Sequence, residues 1–400
     1  LWTSAAFHAI MPFNQGVHIM LRIALTSTLL IAMASACGPR ADAPVAESRR
    51  SPAPPPAPAA PAADAPPAKA ASAGTLRWTA LKTGVNADFR GLSVVNGQVV
   101  WAGGHGGTIA RTTDGGQSWH RINPPPGADA MDFRDVQAFD ADSAVVMHAG
   151  TPTYLFKTTD GGKSWRMTFD GSTEPYAFLN GVAFWNRDHG VAFGDPVDGR
   201  VLILLTDDGG ESWRHIATEG NPPVVPGEIG FAASGTSVAV FGDSHAWIGL
   251  GGVGARVLRS TDAGRTWRMS ATPLASACDF CGVYSLAFRD ASHGLAVGGN
   301  SQDHASADKN AAVSPDGGRT WTLLTNAPPT GYRSCVAYRP GSNPGEFVAV
   351  GVSGSDWSSD DGMSWTSFSD EGYHVVAFSP DGKSAWAAGT GGRIARMELP

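Results

Sequence analysis

Thr112-Thr113-Asp114-Gly115-Gly116-Gln117-Ser118-Trp119 decides how this chain folds, because the chain writes it six times. It returns as Thr158 to Trp165 and Thr206 to Trp213, then as Ser260 to Trp267, Ser314 to Trp321 and Ser358 to Trp365. The shared pattern is Ser/Thr, any, Asp, any, Gly, any, Ser/Thr, Trp. It reads as a hairpin turn. The carboxylates of Asp114, Asp160, Asp208, Asp262, Asp316 and Asp360 accept backbone N–H groups and close an Asx-type turn. The Gly takes the positive φ of a tight turn. The flanking Ser/Thr residues are β-formers with hydroxyls to spare, and the Trp opens the next strand with a large apolar body.

The Trp spacing sets the architecture. Steps of 46, 48, 54, 54 and 44 residues separate Trp119, Trp165, Trp213, Trp267, Trp321 and Trp365. Periods of roughly 40–50 residues built of short strands are the mark of propeller blades. These motifs resemble the Asp-box (BNR) repeats, and their density over residues 76–400 resembles the photosystem II stability/assembly-factor-like propellers more than the sialidases. The resemblance implies an all-β, seven-bladed β-propeller with a scaffold role. The box itself builds a turn and implies no activity.

Each unit follows one grammar of four runs. Asp88–Val95, Gln98–Gly103, Thr108–Arg111 and Trp119–Ile122 are the first set. The fourth unit is the least regular, with Gly230–Val240 as its expected inner strand. At the ends, Gly392–Arg396 repeats the strand before a box, and Thr75–Leu81 the strand after one. The N-terminal strand is therefore expected to complete the last blade and close the ring, with Trp78 as the seventh Trp of the set. Closure removes exposed strand edges.

Residues 1–74 fall outside that grammar. Met20-Leu21-Arg22 and the apolar run Ile23–Ala36 read as a signal peptide, with residues 1–19 as an over-called start. Ala34-Ser35-Ala36-Cys37 resembles a bacterial lipobox, which implies lipidation at Cys37 and, since Gly38 is not Asp, sorting to the outer membrane. Residues 37–74 are a Pro/Ala-rich linker that reaches up to about 100 Å when extended. The domain over 75–400 holds 24 basic and 33 acidic residues, once the 5 and 3 of the leading segment are set aside, a net charge of −9. An acidic domain without a basic cluster argues against nucleic acid. No motif calls for a cofactor or a metal.

In propellers of this kind, functional loops gather where inner strands begin, opposite the boxes. The residues at or beside that opening position are Arg90, Arg134, Asp135, Asn180, Glu228, Tyr284, Tyr332, Arg333 and His374. Loops after the second strands add His105, His148, Asp195, Asp198, Arg200, Asp303, His304, Asp308 and Lys309. An Arg-rich rim suits an anionic ligand or an acidic peptide, because the guanidinium fork pairs with carboxylates. The bland alternative is that these Arg only pair with neighbouring Asp. Regular recurrence of Trp101, Trp247 and Trp386 on second strands points to packing rather than glycan binding. A sialidase would need three Arg, and Arg90, Arg134 and Arg333 imitate them, with Tyr332 or Tyr373 as nucleophile. Yet no Glu stands obviously beside either Tyr, and Phe89-Arg90-Gly91-Leu92 lacks the Arg-Ile-Pro signature. Hydrolase and lectin are therefore the alternatives to a protein-binding scaffold. In an exported protein Cys278 and Cys281 are most simply a disulfide, leaving Cys335 a buried thiol.

Overall fold

The computed structural model describes residues 76–174 and 176–399. The expected signal peptide, Cys37 anchor and linker lie outside the described residues. All six boxes share one hydrogen-bond pattern. In the first, the Thr112 hydroxyl donates to Asp114 Oδ1 at 2.8 Å and accepts the Gly116 N–H at 2.9 Å. Asp114 also accepts the Ser118 N–H at 2.9 Å and the Ser118 hydroxyl at 2.5 Å. The hydroxyls are thus not spare, as the sequence reading had them: both close the turn. These bonds hold the Asp114 carboxyl down at about 2. The residue between Asp and Gly also has positive φ, which is ordinary for Gly115 (+72°) and strained for Ala263 (+56°).

The strands form antiparallel sheets, with four strands to a repeat except in the fourth, which has five. Phe89–Val94, Val100–Gly104, Thr108–Thr112 and His120–Ile122 are hydrogen-bonded in that order. The repeats at Phe133–Asp170, Leu179–His215 and Cys335–Ser369 follow the same order. One nine-stranded sheet joins the two repeats between Glu228 and Leu323 through a bridge of Gly251 to Gly282. In the last sheet Thr79–Leu81 pairs with Ile394–Glu398, Thr79 lying opposite Arg396. Trp78 directly precedes those paired residues and donates to Ser355 Oγ at 3.0 Å. The first and last repeats touch: Trp119 lies 6.4 Å from Trp386, and Phe89 N–H donates to Gly389 O.

Packing between neighbouring sheets is apolar. Trp101, Trp247 and Trp386 are fully buried, and their indole N–H groups donate to Asp140 O, Gly317 O and Ser384 Oγ. A buried indole that satisfies its one donor inside the protein is a packing element. Each box is also tied by a backbone N–H to the turn between the first and second strands of its own repeat, as Gly115 to Gln98 O and Gly209 to Asp188 O. By strand alternation, the starts of the first strands lie at the opposite end.

The fourth repeat departs from the expected strand over Gly230–Val240. Glu228–Ile229 pairs with Gly251–Gly252, Val238–Phe241 pairs with His245–Ile248, and Phe231–Ser237 leaves the sheet between them. This segment touches the first strands of five other repeats. Ala233 O and Ala232 O accept from Arg90 and Arg134, and the Gly235 Cα lies against the Asp135 carboxylate. Gly181 packs on Gly235 O, Thr236 Oγ1 bonds Ser285 Oγ at 2.7 Å, and Ser234 Oγ donates to Ser334 O. Only a segment at the convergence of the first strands can do all of this. Phe231–Ser237 plugs the centre. Gly235 permits it, with φ of +72° and no room for a Cβ beside Asp135.

Candidate functional site

A cavity of about 280 Å³ opens at the end away from the boxes, floored by the plug residues Phe231, Ala232 and Ala233. Its walls differ in chemistry. One is aromatic: Phe231 stacks on Tyr284 at 3.9 Å, and Tyr284 meets Tyr332 edge-on at 4.8 Å. The other carries Arg90, Arg134 and His374. Ser301, Gln302, His304 and Val352 complete the lining.

The cationic wall is under-compensated. Arg134 Nε donates to Asp132 Oδ2 at 2.5 Å, and His105 Nε2 lies 3.1 Å from the same oxygen. Among the described residues, no carboxylate stands within ion-pair distance of Arg90. Its Nη1 reaches Ala233 O at 3.3 Å, and its buried Nε has no partner. Burial first, and then the neighbouring Arg134, pull the Arg90 pKa below its usual value. Burial and Arg90 press His374 down to about 4, so its imidazole is neutral at pH 7. The buried His374 Nε2 is also unpartnered. Buried polar atoms left without partners are rare, and here two of them belong to residues that line one cavity.

Five of the nine residues expected at the mouth, Arg90, Arg134, Tyr284, Tyr332 and His374, line this cavity. The other four do not, and each has a structural reason. Arg333 is fully buried: its Nε meets Asp356 Oδ2 at 2.6 Å, and Thr330, Ser353 and Tyr332 O take its remaining donors. Glu228 is buried against Arg256. Asn180 donates to Asp195 Oδ1 at 2.9 Å. Asp135 accepts the Val136 and Val182 N–H groups beneath the plug. Of the second-strand loop residues, His304 lines the cavity, while Asp198 and Arg200 line a separate pocket beside His215. The plug residues Phe231–Ala233 were missed by sequence reasoning, since an Ala-rich stretch carries no chemical signal.

This arrangement fits an anion against an aromatic wall. It does not reproduce a sialidase triad, because Arg333 is committed to Asp356. No carboxylate is among the lining residues, whereas glycoside hydrolysis ordinarily uses two. One expectation needs correcting: a Glu does stand beside a Tyr, with the Tyr373 hydroxyl donating to Glu371 Oε2 at 2.7 Å. Burial and that carboxylate raise the Tyr373 pKa and keep the phenol protonated, and it is not among the residues lining the cavity. Cys278 and Cys281 are joined by a disulfide, and Cys335 is a buried free thiol.

A family model described as the photosynthesis system II assembly factor YCF48 matches residues 70–173. A solved structure of YCF48 bound to D1 peptide is 18% identical, with a TM-score of 0.58 over 81% of this chain and 97% of that one. YCF48 from Cyanidioschyzon merolae is 16% identical, with a TM-score of 0.56 over 80% and 98%. The GH74 xyloglucanase from Xanthomonas campestris is 15% identical, with a TM-score of 0.55 over 80% of this chain and 53% of that enzyme. No curated protein matches by sequence. At these identities the solved structures establish the fold alone. The chain is a β-propeller of BNR-type repeats that resembles the YCF48 assembly factors.

Proposed function

We propose that this chain is a non-catalytic scaffold that captures a carboxylate-bearing segment of a partner protein in the plugged mouth of a seven-bladed ring. In this reading Thr79–Leu81 closes the ring, and a lipid on Cys37 holds the exported domain at the bacterial envelope, where it assists a membrane complex. Support for a protein partner comes from the resemblance to YCF48, one structure of which holds a D1 peptide. Support for the ring comes from seven repeats of strands among the described residues and from the pairing of Thr79–Leu81 with Ile394–Glu398. The observation that carries the site is Arg90: a cation in a cavity wall, with an unpartnered Nε and no carboxylate of its own. In a domain of net charge −9 it forms a local attraction for an acid, aided by Arg134.

The test uses fluorescein-labelled hexapeptides of Gly and Ser ending in a free carboxylate, with C-terminal amides as controls. Wild type binds the acids, more weakly as salt rises, and ignores the amides. Arg90→Gln with Arg134→Gln lowers affinity at least tenfold, with little change in melting temperature. Glutamine is used because glutamate at Arg134 would also repel Asp132. Equal binding of acids and amides would refute the site. Cys37→Ser is expected to move the protein from the membrane pellet to the soluble fraction, and retention would refute the anchor.

A further inference from the structure

Seven large apolar side chains are exposed among the described residues, and five of them, Tyr176, Val225, Val253, Phe280 and Val352, lie on loops at the cavity end. Two of these residues are tied to the cavity itself. Val352 lines it and is 37% exposed. Phe280 is 50% exposed, and its carbonyl accepts the Tyr284 hydroxyl at 3.0 Å and the Ser301 N–H at 3.0 Å, both lining residues.

The backbone around Phe280 is held on both sides. The Cys278–Cys281 disulfide clips a four-residue turn, closed also by Cys281 N–H to Cys278 O, and the preceding Ala277 N–H donates to Gly252 O at 2.9 Å. A phenyl ring is therefore kept half in water on a backbone with little freedom. The fold gains nothing from that ring's exposed half, where a polar residue would serve the turn equally. A partner would gain, because an anchored aromatic side chain binds without first losing loop entropy.

We infer that Phe280 and Val352 form an apolar rim that reads a large aliphatic or aromatic side chain within three residues of the carboxylate held by Arg90. The partner is then an extended protein segment of acidic and apolar character. This inference rests on the mouth being the binding site. Charge selects the acid and the rim selects its neighbour, so the two contributions separate by salt: ion pairing weakens as salt rises, and apolar contact does not.

The experiment extends the free-carboxylate hexapeptides, placing Leu or Ser at each of the three positions before the last. Anisotropy titrations at about 0.5 M salt, where screening is strong, compare wild type with Phe280→Ser and, independently, Val352→Ser. The expected result is a roughly tenfold gain from Leu at one position, the order of a buried side chain. Each rim variant loses most of that gain, while the Ser peptides bind Phe280→Ser as they bind wild type at low salt. If Leu and Ser peptides bind equally, or the gain survives in both variants, the rim is overturned and the acid site stands. If no hexapeptide binds through its carboxylate, the mouth reading falls and the rim with it.

Discussion

Arg333→Met separates structural from functional arginine most sharply. Arg333 opens an inner run as Arg90 and Arg134 do, yet it and Asp356 are both fully buried and meet at 2.5 Å. Thr330 supports the pair from both sides, its hydroxyl 2.7 Å from Arg333 Nη2 and 2.9 Å from Asp356 Oδ1. Methionine keeps much of the volume and leaves a carboxylate buried without its cation. Breaking such a pair from one side costs about 3–5 kcal/mol. At about 2.1 cal/mol/K of unfolding entropy per residue, a domain of roughly 325 residues shifts by about 1.5 °C per kcal/mol, so the melting temperature falls by about 4–7 °C. Arg333→Met with Asp356→Leu should recover most of that loss, because no charge then remains buried. Calorimetry measures the shift, and the acidic hexapeptides measure binding on the same preparation. A melting temperature unchanged within about 1 °C, together with lost peptide binding, would put Arg333 at the mouth and refute the assignment.

Three further outcomes are expected. Burial raises the Asp135 carboxyl to about 7, so the native state keeps a proton that the unfolded chain releases near pH 4. Its contribution is full below about pH 4 and is lost as pH rises through about 7, at up to about 1.4 kcal/mol per unit; Asp135→Asn should flatten urea-measured stability over that window, and an unchanged slope counts against it. Asp262→Ala removes the acceptor of the Thr266 N–H and of the Thr266 and Ser260 hydroxyls, and should cost about 1 kcal/mol without altering peptide affinity. Ala263→Gly relieves a left-handed backbone and should raise stability by up to about 1 kcal/mol, where a loss would show that the turn tolerates Ala freely.

The turn chemistry was legible in the sequence because it is written six times, and repetition separates a structural requirement from chance. Even so, its details were under-read: both hydroxyls belong to the turn, and Ala263 and Asp361 show that its second left-handed residue is required whether or not it is Gly. The end-to-end pairing of Thr79–Leu81 with Ile394–Glu398 was legible for the same reason. Each end carries a fragment of a pattern whose whole appears elsewhere.

Burial at the mouth was harder to read, because it depends on what faces each opening residue from another strand. Arg90 and Arg134 each stand one residue before the partners of Gly103 and Met147, whereas Arg333 stands two residues before the equivalent partner of Val350, and of the three it alone has an acid waiting in the third strand. That acid left a mark. Four residues before the box Asp, the repeats carry Ala110, Phe156, Leu204, Leu258 and Ala312, and then Asp356. A single carboxylate in a column of apolar residues must find a cation indoors, and Arg333 is the one it finds. Asp135 leaves a similar mark, standing where the neighbouring repeats have Gly91 and Gly181. The plug has no such sign. Phe231–Ser237 repeats nothing and bears no charge, and its part is played largely through backbone carbonyls, which every residue owns. Its carbonyls occupy only part of what Arg90 and Arg134 offer, and the donor left over on Arg90 is the observation on which the proposed acid site rests.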